Sequence, residues 1–430
     1  MRRSPFAFAR LIMSAAFLLL FVSCGDAAGR DGGPSAAGLT TVFDSTSASD
    51  SIIARTGGTV HPTMVRSVVE ELRIAPTAND TSLFADVSEF EVGRDGRLFV
   101  YDRAAHVLFL FDSSGNVMRR IGRQGSGPGE FKENNGMVLG PNGRLSLWDA
   151  ANGRISLFSG DGEFVSSSVL TSGFFMYNGL RTDRSGAVLL LHPVTEPREG
   201  EVLGRFGLLR LKKGGAFGDS LVPPDLPVDH IVYVAEWENG SSASMPTHSA
   251  RFLFEWHPRG YFVSANAGKY EIELSRPDSL GGPLRIVRDA AAVPVPEQER
   301  DWDRERITYQ MRRGMPAWTW QGPPIPSTKP PLAALHVGRD GSIWASVAMP
   351  SERIPEAELE PQRKNARPRA LFRDAIAFEV FGEDGDFRGR VALPPRSTFM
   401  EADGNHIWYL QRDEDGLPAV VKARVEPAFP

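Results

Sequence analysis

Val92 to Asp102 reads VGRDGRLFVYD, and Leu139 to Asp149 reads LGPNGRLSLWD. In each, an apolar strand meets a tight turn carrying Gly, and a second apolar strand runs out to an aromatic and an acid. Asp-Gly and Asn-Gly supply the positive φ that a short hairpin needs. The scheme recurs at Val337 to Val347 (VGRDGSIWASV). Weaker copies stand at Arg181 to Leu191 (RTDRSGAVLLL), Glu255 to Ala265 (EWHPRGYFVSA) and Glu401 to Gln411 (EADGNHIWYLQ), which makes six.

A second hairpin follows most copies: His106 to Ile121, Arg154 to Val169, Phe206 to Leu221, Lys269 to Ile286 and Ile376 to Val391. Each unit is then four antiparallel strands in about 40–45 residues, the size of one propeller blade. No helical pattern alternates with the strands, which disfavours a parallel α/β sheet. The fold class expected is all-β, a six-bladed β-propeller of four-stranded antiparallel blades. In the sixth unit Ala419 to Val425 supplies only a third strand before the chain stops. Met64 to Ile74 is a strand-like run without a hairpin partner. Placed as the outer strand of blade six, it closes the ring and removes an open edge.

The bulk numbers agree with a globular body. The chain has 430 residues, 41% hydrophobic and 10% aromatic, with a formal net charge of −5. The first 23 residues hold three Arg and no acid, so the remainder carries 45 basic against 53 acidic residues, a net −8. That balance argues against nucleic acid as the main partner. Cys24 is the only cysteine, so no internal disulfide can form.

Arg2, Arg3 and Arg10 precede a short apolar stretch, Leu11 to Val22, too short for a spanning helix. A basic start, a short apolar core and small residues at the end make a secretory signal. The end, Phe21-Val22-Ser23-Cys24-Gly25, resembles the bacterial lipobox, with Phe21 where that family usually has Leu. The resemblance implies lipidation of Cys24; a plain signal peptide with a stray Cys is the alternative. Gly25 does not resemble an inner-membrane retention signal, so the outer membrane is the expected address. From Gly25 to about Gly58 the chain is poor in large apolar residues, too poor to offset the entropy of ordering. The expected organisation is a signal peptide over 1–23, a flexible tether over 24–58 and a propeller over 59–430.

Ile121 to Phe131 (IGRQGSGPGEF) and Trp148 to Phe158 (WDAANGRISLF) resemble the NHL-repeat and related six-bladed propellers of bacteria. In that family a Gly-rich connection with Gly-Pro-Gly-Glu-Phe joins one blade to the next. The family pattern Asp-x-x-Asn-x-Arg-Ile is met by Asp149, Asn152, Arg154 and Ile155, whereas blade one has His106 and Val107 instead of Arg-Ile. The resemblance implies the fold and says little of function, since one propeller hosts many activities.

Four segments break the rhythm. Pro296 to Gly314 carries acids in its first turn and Arg312 and Arg313 in its last, which predicts a short inserted helix. The Pro-rich run Met315 to Pro331 brings Trp318 and Trp320, which either line a loop binding site or anchor the loop. Ser351 to Ala370 is acidic, then basic, as a solvated face would be; Val222 to Thr247 is a further long insert. Inserts on a rigid scaffold are where function tends to sit.

Gly125 to Gly129 lacks the Lys-Ser/Thr pair of a phosphate loop and no helix follows it. The eight His show no close metal-ligand spacing. Aligned on their turns, the innermost strands place Ser88, Asn135, Tyr177, Arg251, Ala333 and Ser397 at one level of the channel mouth. Glu89 and Asn178 stand at the next, and His336 lies one place before the turn register. Metal-dependent propeller lactonases and amidating lyases resemble this architecture, and use Glu, Asp, Asn or His ligands in the channel. By that resemblance Glu89, Asn135 and Asn178 could hold Ca²⁺, which prefers oxygen ligands; otherwise no cofactor is expected. The leading functional expectation is a lipid-anchored, monomeric binding module for an envelope protein, peptide or glycan. The alternatives are a channel-centred hydrolase or lyase, and a structural part of an envelope complex.

Overall fold

The computed structural model describes residues 41–44, 52–56, 60, 62–76, 83–170, 179–195, 205–212, 214–238, 240–276, 282–359, 361–363 and 366–429. Cys24, Tyr177 and Asn178 lie outside them. Among the described residues, six antiparallel four-stranded units are present, and they form a six-bladed β-propeller. Blade one runs Val87–Val92, Leu98–Asp102, Val107–Phe111 and Val117–Ile121. Blade two spans Asn134–Leu139 to Phe164–Val169, and blade three Leu180–Thr182 to Phe217–Leu221. Blade four spans Phe252–His257 to Leu284–Arg288, and blade five Leu332–Val337 to Phe387–Ala392. All eleven hairpins read from the sequence fall on these strands.

Blade six is closed as expected. Ser397–Asp403, His406–Arg412 and Pro418–Glu426 take Val65–Ile74 as their outer, antiparallel strand. The pairing runs from Ser67 opposite Glu426 to Ile74 opposite Val420. Arg66 adds a clasp: its guanidinium donates to the carbonyls of Arg388 and Pro427 at 3.0 Å each and lies over the Phe429 ring. The first residues of this strand also pair in parallel with Arg390 and Val391, so blades five and six share one continuous sheet.

Part of the segment expected as a tether over 24–58 is built into the fold. Thr41–Asp44 and Ile52–Thr56 form a hairpin, and the second strand lies parallel to Leu284–Arg288 on the outside of blade four. Ala54 is fully buried there. It sits where the Cβ-free face of Gly385 allows close approach. An apolar Ile-Ile-Ala run thus finds an exposed sheet edge and covers it, as edges demand.

The blade-joining motif has a mechanical explanation. Buried Asp149 accepts from the backbone N–H groups of Lys132, Glu133 and Asn152, and from the Asn152 amide at 2.6 Å. Asn152 in turn donates to the Gly125 carbonyl. Arg154 reaches the carbonyls of Ser126, Gly127 and Glu130 at 2.6–2.7 Å, pinning the glycine-rich connection. Gly122 has φ +77°, and a Cβ there would lie 2.3 Å from the Phe131 ring, so that position admits only Gly. Asp102 repeats the cap in blade one, on Ala85, Asp86 and Ala104. Arg154→Ala removes three charge-assisted bonds and leaves their carbonyls half-buried. We expect a loss of ~2–3 kcal/mol, read as a lower urea midpoint, with early proteolysis at 125–130. An unchanged midpoint would mean that the connection holds itself.

The helix forms at Glu297–Gly314, with Glu299 and Arg313 on the sides its dipole favours. It packs on an extra hairpin, Tyr233–Trp237 with Gly240–Ser244, built by the insert before blade four. Tyr233, Ala235, Ile307, Met311, Trp318 and Ile325 form a small separate core. The last insert is a two-stranded flap, Ser351–Arg353 with Phe372–Asp374. No helix among the described residues is long and apolar enough to cross a membrane.

Candidate functional site

The innermost strands of neighbouring blades stand side by side around the ring. Four of them carry a bulge near their start, at Val87/Glu89, Asn134/Gly136, Leu332/Ala334, or further along at Phe399/Glu401. A bulge spends one extra residue and turns the side chains before it to new directions. The turns of blades three and four also close from Thr182 and from Trp256-His257, one residue later than the register read from Arg181 and Glu255. Corrected for this, Glu91, Val138, Arg181, Glu255 and His336 occupy one equivalent place, each one residue before the turn register.

That ring carries the charge. Arg181 grips Glu255 of the next blade through Nε at 3.0 Å and Nη2 at 2.6 Å. The Glu255 charge beside it holds the guanidinium above its usual range, with Glu91 and Glu89 adding to the pull. Glu91 accepts from the backbone N–H of Leu139 at 2.9 Å, satisfying the open inner edge of blade two. Burial, then the neighbouring Glu89 charge, push its carboxyl up to about 7. Burial also raises Glu89, which accepts from the Asn134 amide at 3.1 Å. His336 is pushed below its ordinary value by burial, which favours the neutral ring, and packs on Phe399, ring centres 4.5 Å apart. Arg339, from the blade-five turn, spans to Glu401 at 2.7 Å and to the Val92 carbonyl, tying blades five, six and one across the ring.

Because the Glu89 charge acts on Glu91, the two carboxyls titrate as a pair and can hold one proton between them. Glu91 supplies more stability protonated than ionised. That contribution is full below about 4.5 and is lost as the pH rises through about 7. Glu91→Gln cannot ionise and still accepts from Leu139. We expect it to melt higher than the parent above pH 7, by roughly 1–3 kcal/mol in stability, with a flatter pH profile. Parallel melting curves from pH 5 to 9 would contradict this.

Of the residues read from sequence, Glu89 does face this cluster, but its amide partner is Asn134 rather than Asn135. Asn135 is half-buried, its carbonyl accepting from Gly179 of blade three. Ser88 is exposed at the bulge. Arg251 is exposed and precedes its strand, and Ser397 is buried at the start of its own. Tyr177 and Asn178 fall outside the described residues. Trp318 is buried and its indole donates to the Val234 carbonyl at 3.1 Å. Trp320 is half-buried between Tyr233, at 4.4 Å, and the Arg304 guanidinium. Both Trp therefore pack the extra hairpin and helix together. Glu91, Arg181, Glu255, Arg339 and Glu401 were missed. The available signal was a charged residue or histidine just before the turn in blades one, three, four and five.

No curated protein matches the sequence significantly. A DUF4221 family member from Bacteroides vulgatus is 13% identical, with 84% of this chain and 98% of that one covered and a TM-score of 0.49. A protein described as exported from Bacteroides fragilis is 10% identical over 87% of this chain and 99% of its own, at 0.47. A catalytically inactive virginiamycin B lyase from Staphylococcus aureus, solved with quinupristin, is 10% identical over 83% and 98%, at 0.36. Residues 71–178 match the family model DUF5128, 6-bladed beta-propeller, and a six-bladed β-propeller is what the chain as a whole folds into.

Proposed function

We propose that this chain is a binding module of the cell envelope, held by a lipid at Cys24. The ring serves as its scaffold, and the extra hairpin and helix over blades four and five receive the ligand. One observation carries the reading: the insert before blade four and the helix-and-loop insert after that blade fold into a common cap with its own core. The cap hairpin leaves Val234 45% and Trp237 39% exposed, on the outside of that core. The channel charges, by contrast, are engaged with one another across the blades. A half-exposed Trp suits a peptide or glycan of an envelope partner, since aromatic anchors dominate such contacts. The module works as a monomer and takes no nucleic acid. The test is a peptide and glycan array probed with the folded chain, then titration of the best hits. Trp237→Ala should weaken them about tenfold or more. Equal affinity in that variant would remove the cap as the site, and turnover of a lactone or phosphoester panel would remove the binding reading.

A second reading is favoured by Glu91. A carboxyl near pKa 7 in a channel beside Arg181, Glu255 and His336 is suited to general acid–base work in a hydrolase or lyase. In this reading Glu89 and its amide neighbours could also hold Ca²⁺. Its mark would be an activity lost about a hundredfold in Glu91→Gln, with a pH midpoint near 7 in the parent.

A further inference from the structure

His248, Glu299 and Asp374 come from three separate segments and converge beneath the cap. His248 belongs to the loop entering blade four, Glu299 to the first helical turn, and Asp374 to the flap. One donor atom from each lies within 4.8 Å of the other two. The His248 Nε2–H donates to Glu299 Oε1 at 2.7 Å, and His248 Nδ1 is 4.0 Å from Asp374 Oδ2. We propose that this is a divalent-metal site of the zinc class, which staples the three inserts together.

The supports around the three groups favour the assignment. Glu299 is almost wholly buried, and its second oxygen accepts from Ser351 Oγ at 2.6 Å. Asp374 is fixed through Oδ1 by Lys329 at 2.5 Å. Each carboxylate is thus oriented through one oxygen, and the other faces the shared space, as outer partners commonly orient metal ligands. The loop that presents His248 is itself pinned: Thr247 donates through both N–H and Oγ1 to Asp303, one helical turn beyond Glu299, at 2.8 Å each. Buried Asp303 is balanced by Arg306 at 2.7 Å, so its charge is spent. One imidazole and two carboxylates form a donor set that suits Zn²⁺. The exposed side of Asp374 leaves a position for water. The inference stands whether or not the cap is the ligand surface.

The experiment uses the full mature chain with a tag free of His, stripped with EDTA and titrated with ZnCl₂ by calorimetry and by thermal melting. One equivalent of Zn²⁺ is expected, with a melting temperature higher by ~2–5 °C at saturating metal. His248→Asn and Glu299→Gln, both near-isosteric, should each weaken binding about ten- to a hundredfold. Should either variant fold poorly, Co²⁺ titration of the parent replaces it, read as a visible band abolished by one equivalent of Zn²⁺. No stoichiometric uptake by the parent overturns the proposal, as does uptake unchanged in His248→Asn.

Discussion

Replacing Glu379 by alanine is expected to destabilise the protein by ~3–5 kcal/mol, the range found when one partner of a buried ion pair is removed. Glu379 sits in the third strand of blade five, Ala377–Phe381, and is 1% exposed. Its Oε2 meets Arg288 Nε of blade four at 2.8 Å and also accepts the Tyr270 hydroxyl. Its Oε1 meets Arg390 at 2.5 Å. Burial, then the Glu379 charge, hold the Tyr270 phenol far above its ordinary range, so it remains a neutral donor. Arg288 is buried as well and stacks over Phe387. Without Glu379, two guanidiniums face each other with no anion between blades four and five. The check is a urea titration at pH 7. The double variant Arg288→Met, Glu379→Leu should recover part of the loss, since the more deeply buried of the two guanidiniums is gone as well. A Glu379→Ala midpoint within error of the parent would show that Arg288 finds other compensation.

Removing residues before Leu83 should have an effect at least as large. The deletion takes away Val65–Ile74, hence the outer strand of blade six, the Arg66 clasp and the parallel join to blade five. Ile74 is 4% exposed and packs with Phe84, Phe109 and Val420 in the core between blades six and one. Burial of such side chains contributes ~1.5–3 kcal/mol each, and each lost ladder bond ~0.5–1.5 kcal/mol. A deficit on the order of 5 kcal/mol or more follows, about the whole stability of many domains. Pro418–Glu426 would also become an open apolar edge. A melt with loss of cooperativity, and multimers on size exclusion, are the expected readouts. A cooperative melt within a few degrees of the parent would mean that the ring stays shut without its closing strand.

The strands were legible because local chemistry decides them. Gly at the turn, alternation and apolar runs are properties of ten residues at a time, and Val92 to Asp102 contains all of them. The closing strand was legible by subtraction, since blade six lacked a fourth strand and Val65–Ile74 lacked a home. The charged ring was not, because its geometry depends on one-residue events. A bulge between Val87 and Glu89, and a turn closing from Thr182 rather than Arg181, each change which side chains face the channel. Reading from turn positions alone thus selected Ser88 and Arg251, which are exposed, over Glu91 and Glu255. The Trp pair was open to two readings for another reason. Nothing in the sequence near Trp318 shows that the hairpin carrying Val234 will arrive to accept its indole proton.

Ser67 and Glu426 meet although 359 positions separate them. A ribosome delivers the first of these long before the last, so blade six cannot be completed on a growing chain. Five sheets can assemble as they emerge, but the circle is shut only when both extremities are free in the same compartment. Its completion is therefore a late, single event, and the slowest contact to find is the one that makes the rest permanent.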